Sequence, residues 1–184
     1  MTSRHVLLAV FICALFPAAL AEHHDPLTEP EIEKVRDAAQ EPEQRLKLYV
    51  EFARARLEHL QQVHADTKAT DREAQTRDAI QDFLDVYDEL NTNVDTFADR
   101  GADLRKAIKP VIEADTEFGA RLRAFKSSLG STKEARDDDF LIGSALDAID
   151  SGAKDHRDLL AEQEEAFKHK KKQKDKENSQ RAEQ

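Results

Sequence analysis

Residues 80–129 read IQDFLDVYDELNTNVDTFADRGADLRKAIKPVIEADTEFGARLRAFKSSL, and their spacing decides the fold. Ile80, Phe83, Tyr87, Leu90, Val94 and Phe97 are separated by alternating steps of three and four. After Gly101 the series resumes at Leu104, Ile108 and Val111, passes Asp115, and closes with Phe118, Leu122, Phe125 and Leu129. Of these 15 positions only Gly101 and Asp115 are not apolar. A 3–4 alternation holds side chains on one stripe of an α-helix, so the stretch is a helix-packing seam.

Unbroken, the seam would be one helix about 75 Å long, more than a compact domain of this size accommodates. Gly101 can close a helix in the left-handed conformation, and Asp103 can cap the next. Pro110 would then kink that next helix in its second turn. The reading preferred on these grounds has a turn near Gly101 and helices at 43–68, 72–99, 103–128 and 138–170. The alternative is one bent helix through 72–129 with a hairpin partner at each end. Either way the fold class is all-α: an antiparallel bundle of three to four long helices with coiled-coil-like heptad packing.

The flanking segments agree. Five glycines and five prolines in 184 residues leave few helix breakers, and strong helix formers dominate the rest. Leu46, Val50, Ala53, Leu57, Leu60 and His64 form a second stripe, widened by Tyr49 and Phe52. Thr28-Glu29-Pro30-Glu31 starts a short N-terminal helix, with Glu31 at the reciprocal capping position. Ser127 to Asp139, with Gly130 and three consecutive aspartates, reads as a loop. Its acidic run lacks the alternating spacing of a calcium loop and suits a helix start. The last helix is expected to turn Phe140, Leu141, Ala145, Leu146, Ile149, Ala153, His156, Leu159, Leu160 and Phe167 toward the core.

The chain opens with a secretory signal pattern over residues 1–21: Arg4, an apolar run from Val6 to Phe16, and Ala19-Leu20-Ala21 at the cleavage positions. Pro17 ends the run well short of a membrane span, so no transmembrane helix is expected in the mature chain. Residues 22–41 form a spacer and the short helix, 42–167 the bundle, and 168–184 a lysine-rich tail. The only cysteine, Cys13, lies inside the signal, which leaves a mature protein without disulfides or thiolate chemistry.

Charge is divided along the chain. Residues 168–184 carry seven basic and three acidic side chains, whereas 22–167 carry 20 basic and 35 acidic ones. An acidic body repels the phosphate backbone, so nucleic acid is not an expected partner. The tail could touch an anionic lipid or acidic polymer of the envelope, but the preferred reading is a solvated, fraying helix end whose lysines complement the helix dipole.

Catalytic and metal patterns are sparse. No Glu-x-x-His pair, His-x-x-x-His pair or Gly-x-Ser-x-Gly elbow occurs. His64 and His156 both fall on apolar stripes and could face each other across the bundle. One local arrangement carries specific chemistry: cleavage after Ala21 would leave Glu22-His23-His24 at a free amino terminus. Its amine, two amides and the His24 ring make a square-planar nitrogen set for Cu(II) or Ni(II). No other cofactor is indicated. The sequence therefore points to an exported, non-enzymatic helical binding or scaffold module of the cell envelope, periplasmic or secreted, with a protein or envelope partner. Copper or nickel binding at Glu22, His23 and His24, and self-association as a coiled-coil homo-oligomer, are the alternatives.

Overall fold

A computed structural model of the protein describes residues 26–130 and 133–182. They form five helices: α1 (Glu29–Asp37), α2 (Pro42–Ala65), α3 (Arg72–Asp99), α4 (Ile108–Leu129) and α5 (Lys133–Ala182). Among the described residues there is no strand. The four long helices are a bundle, and α1 rests against α2.

The seam folds as two helices. Fourteen of its fifteen positions are buried, Gly101 alone being exposed. Gly101 has φ +74°. Its N–H bonds to the Ala98 carbonyl at 2.8 Å, and that of Ala102 reaches back to Phe97 at 3.0 Å. This pair of bonds satisfies the last carbonyls of α3, and only glycine enters the left-handed turn without a Cβ penalty.

The next helix starts later than the spacing predicts. Asp103 does not cap it, because its carboxylate is engaged by the N–H and guanidinium of Arg105. Residues 102–107 instead form a turn, and α4 begins at Ile108. Pro110 therefore occupies the first helical turn, where its missing N–H costs nothing and no kink is required.

Helices α2 and α3 pack as one hairpin and α4 and α5 as another. The hairpins stack with α2 beside α4 and α3 beside α5. The neighbours across the stack run parallel: Arg54 meets Glu117, Gln61 meets Arg121, and His64 meets Phe125 between α2 and α4. Consecutive helices α3 and α4 thus stand on a diagonal, and the rings of Phe83 and Tyr87 meet Phe118 edge-on at 5.6 and 6.4 Å in the centre. Gln163 of α5 fixes the crossover, accepting from the Leu104 N–H at 2.7 Å and donating to the Ala102 carbonyl at 3.0 Å.

Helix α1 is held by two arginines of α2. Arg56 bonds the Glu31 carboxylate at 2.7 Å and the Pro26 carbonyl at 3.0 Å. Arg45 joins the Val35 carbonyl to Asn93 of α3. The Glu31 carboxylate also accepts from the Thr28 N–H at 2.8 Å, the reciprocal cap that the sequence suggests.

Two expectations are corrected at the second hairpin. Ser127 to Asp139 is not one loop, since α4 persists to Leu129 and α5 begins at Lys133. Ser127 and Ser128 lie within α4, their hydroxyls bonding back to the Arg123 and Phe125 carbonyls, and the buried stripe through Phe125 and Leu129 carries the helix past them. Phe140 is 85% exposed, and Ile142 takes the core position instead. At the other end α5 continues to Ala182, and at 50 residues it is the longest helix. It is about 75 Å long against about 42 Å for α3, so it outruns the bundle.

Candidate functional site

Three helices place one polar side chain each in the middle of the apolar core. Tyr87 comes from α3, Asp115 from α4 and His156 from α5, with exposures of 1%, 1% and 3%. The Tyr87 hydroxyl donates to Asp115 Oδ1 at 2.8 Å. The other carboxylate oxygen lies 2.9 Å from His156 Nδ1. A carboxylate only accepts, so Nδ1 carries the proton. Burial, and next the Asp115 carboxylate, push the Tyr87 hydroxyl up from the ordinary phenol value, so it remains a protonated donor.

Gly152 makes this approach possible. A Cβ there would lie 2.5 Å from the Tyr87 hydroxyl oxygen and 3.2 Å from Asn91 Oδ1. The glycine therefore sits in mid-helix because two side chains of α3 occupy the space.

His156 is the inner wall of a groove of about 320 Å³ between α3 and α5. Asp88, Asn91 and Asp95 line it from α3, and Asp155 from α5. The three aspartates are solvent-exposed.

No protein-family model, curated protein or solved structure matches this chain.

Glu22, His23 and His24 lie outside the described residues. His64 and His156 are not brought together. His64 packs edge-on to Phe125 at 5.0 Å, while His156 is tied to Asp115. Those two α4 partners are ten residues, or about 15 Å, apart along the helix. Asp138 is buried at the start of α5, with Arg77 at 3.9 Å. Among the described residues no group of three His, Cys, Asp or Glu side chains is placed to hold a metal ion.

Asp115 and His156 were each visible as exceptions on apolar stripes, but their meeting was not. It depends on which helices stand diagonally, and periodicity carries no such information.

A second charged feature is the free end of α5. Phe167, expected in the core, is instead 48% exposed, with the Arg105 guanidinium 3.7 Å above its ring. Residues 168–175 are all exposed. Lys168 pairs with Glu165 at 2.7 Å. Lys170, Lys171, Lys172 and Lys174 form no ion pair among the described residues. No described helix is long and apolar enough to cross a membrane.

Proposed function

We propose that the protein is an exported, non-enzymatic binding module of the cell envelope, in which the acidic bundle holds a basic helix against an anionic lipid surface. The observation that carries this reading is the exposed run Lys168–Lys174, which continues α5 beyond the half-exposed Phe167. Each lysine near such a surface contributes about 1 kcal/mol, and the interaction fades within a Debye length. The acidic body opposes close approach of the bundle, so contact is confined to the basic end. The seam itself closes inside one chain, and a coiled-coil homo-oligomer draws no support from it.

The test is sedimentation of the mature, full-length protein with vesicles of phosphatidylcholine alone and with a third of phosphatidylglycerol. Binding is expected only with the anionic lipid, falling steeply as salt is raised. Substituting Lys170, Lys171, Lys172 and Lys174 together with glutamine should abolish it. Equal binding to both vesicle types, or by the substituted protein, would overturn the reading. Export is tested separately by the mass of the processed amino terminus.

A further inference from the structure

We infer, resting on the lipid-binding reading above, that Phe167 is the membrane anchor: its ring enters the acyl boundary of an anionic bilayer while Lys170, Lys171 and Lys174 beside it pair with lipid phosphates. The described residues hold two exposed large apolar side chains, Phe140 at 85% and Phe167 at 48%. Both lie on α5, about 40 Å apart along its axis. Their surroundings differ in charge. Phe140 follows Asp137, Asp138 and Asp139, whereas Phe167 precedes KHKKKQKD at 168–175, with five lysines against one aspartate. Only the second ring can approach an anionic surface without repulsion.

Helical spacing decides which lysines share the face of the ring. Steps of three, four and seven from Phe167 reach Lys170, Lys171 and Lys174, so one aromatic and three ammonium groups form a single stripe. These lysines are exposed and form no ion pair among the described residues. The acidic neighbours are already engaged: Asp103 with Arg105 at 2.6 Å, Glu164 with Lys109 at 3.7 Å and Glu165 with Lys168 at 2.7 Å. One face of the ring carries the Arg105 guanidinium, and the ring borders a hollow of about 190 Å³ lined in part by Gly101, Ala102 and Ala166. Its remaining surface is open. An aromatic ring beside lysines suits the headgroup region, where the ring reaches the acyl boundary and the long cationic side chains extend to the phosphates.

The protein contains no tryptophan, so Phe167→Trp places a single reporter at the anchor. In the mature, full-length variant its emission should shift to the blue with vesicles containing a third of phosphatidylglycerol and stay unchanged with phosphatidylcholine alone. Bromines on the upper acyl carbons of the lipid should quench it, and raised salt should reverse both effects. Phe140→Trp, at the acidic end of the same helix, should show neither change. Phe167→Ala should weaken sedimentation with the anionic vesicles about five- to tenfold, the share of a half-exposed ring moved out of water. Unaltered sedimentation of Phe167→Ala, or Phe167→Trp that sediments with the vesicles without blue shift or quenching, would overturn the anchor while lipid binding by the lysines stands. An equal blue shift with soluble polyglutamate would also overturn it, because the ring would then report a polyanion rather than a bilayer. A parent protein that does not sediment with anionic vesicles would instead remove the lipid-binding reading and the anchor with it.

Discussion

Replacing Asp115 with alanine should cost far more than the loss of its own contacts. Asp115 is 1% exposed and holds both the Tyr87 hydroxyl and the His156 Nδ1–H. Without it, two donors are stranded in an apolar core, at about 1–3 kcal/mol each. The vacated volume adds a cavity term, so the expected loss is about 3–5 kcal/mol, a large fraction of the ~5–15 kcal/mol that typically holds a domain folded. Tyr87→Phe keeps the His156 bond and removes one donor, and should cost only about 1 kcal/mol. The combination Tyr87→Phe, Asp115→Val, His156→Leu strands nothing. It should lie within about 1.5 kcal/mol of the parent despite losing every polar atom of the network. Urea unfolding followed by helical circular dichroism measures all three. A loss under about 1 kcal/mol in Asp115→Ala, or a triple variant as damaged as that single one, would refute the reasoning.

Gly152→Ala should destabilise by about 1–2 kcal/mol although alanine is the better helix former, because its Cβ meets the Tyr87 hydroxyl at 2.5 Å. Thermal unfolding should show that cost shrink when Tyr87→Phe removes the oxygen. Stability should fall as pH drops below the ordinary glutamate value of 4.5. The Arg54 guanidinium, bonded to Glu117 at 3.0 and 2.8 Å, holds that carboxyl below its ordinary value. For Glu31, burial pushes upward, but hydrogen bonds from Arg56 and Thr28 outweigh it and the net displacement is also downward. A lowered folded value stabilises above the unfolded pKa and is lost as pH falls through the folded one. Glu117→Gln should flatten that limb of the pH profile in urea unfolding, and an unchanged profile would contradict the assignment. Cu(II) added to protein whose mass confirms a Glu22 amino terminus should give a one-to-one violet absorbance band. One extra residue ahead of Glu22 should remove it, and a band that survives would exclude Glu22, His23 and His24 as the site.

The fold was largely legible because burial follows periodicity. Fourteen seam positions are buried as spaced, and Gly101 turns where only a glycine turns cheaply. The misread points were ones where a local competitor was stronger than the pattern. Asp103 could have capped a helix but found Arg105 two residues on. The serines of the supposed 127–139 loop satisfied their hydroxyls on carbonyls one turn back, and the burial of Phe125 and Leu129 carried the helix past them. Phe140 and Ile142 are both plausible core residues in isolation. The stripe through Ile142, Ala145 and Ile149 decides for the isoleucine. Of the site, Asp115 was legible only as an interruption. Its partners lie 28 and 41 residues away, and the groove depends on α3 and α5 being neighbours, a choice of topology rather than of period.

That choice is what the polar network is suited to make. Apolar side chains at every third or fourth position would pack nearly as well if α4 slid by one heptad, since Ile108 or Leu122 would then stand at the level of Asp115. Such a slip moves the carboxylate about 10 Å, away from both Tyr87 and His156 and in among aromatic and aliphatic side chains. An unpaired buried charge costs several kcal/mol, which exceeds what a seam of interchangeable apolar residues can discriminate. Because the network draws on three helices, it selects the diagonal pairing of α3 with α4 and the placement of α5 together. Gln163, clamping the Ala102–Leu104 crossover from the same helix as His156, ties the route of the connection to that same register. The aliphatic seam accounts for collapse into a bundle, and the buried Tyr87–Asp115–His156 contacts distinguish this bundle from its shifted neighbours.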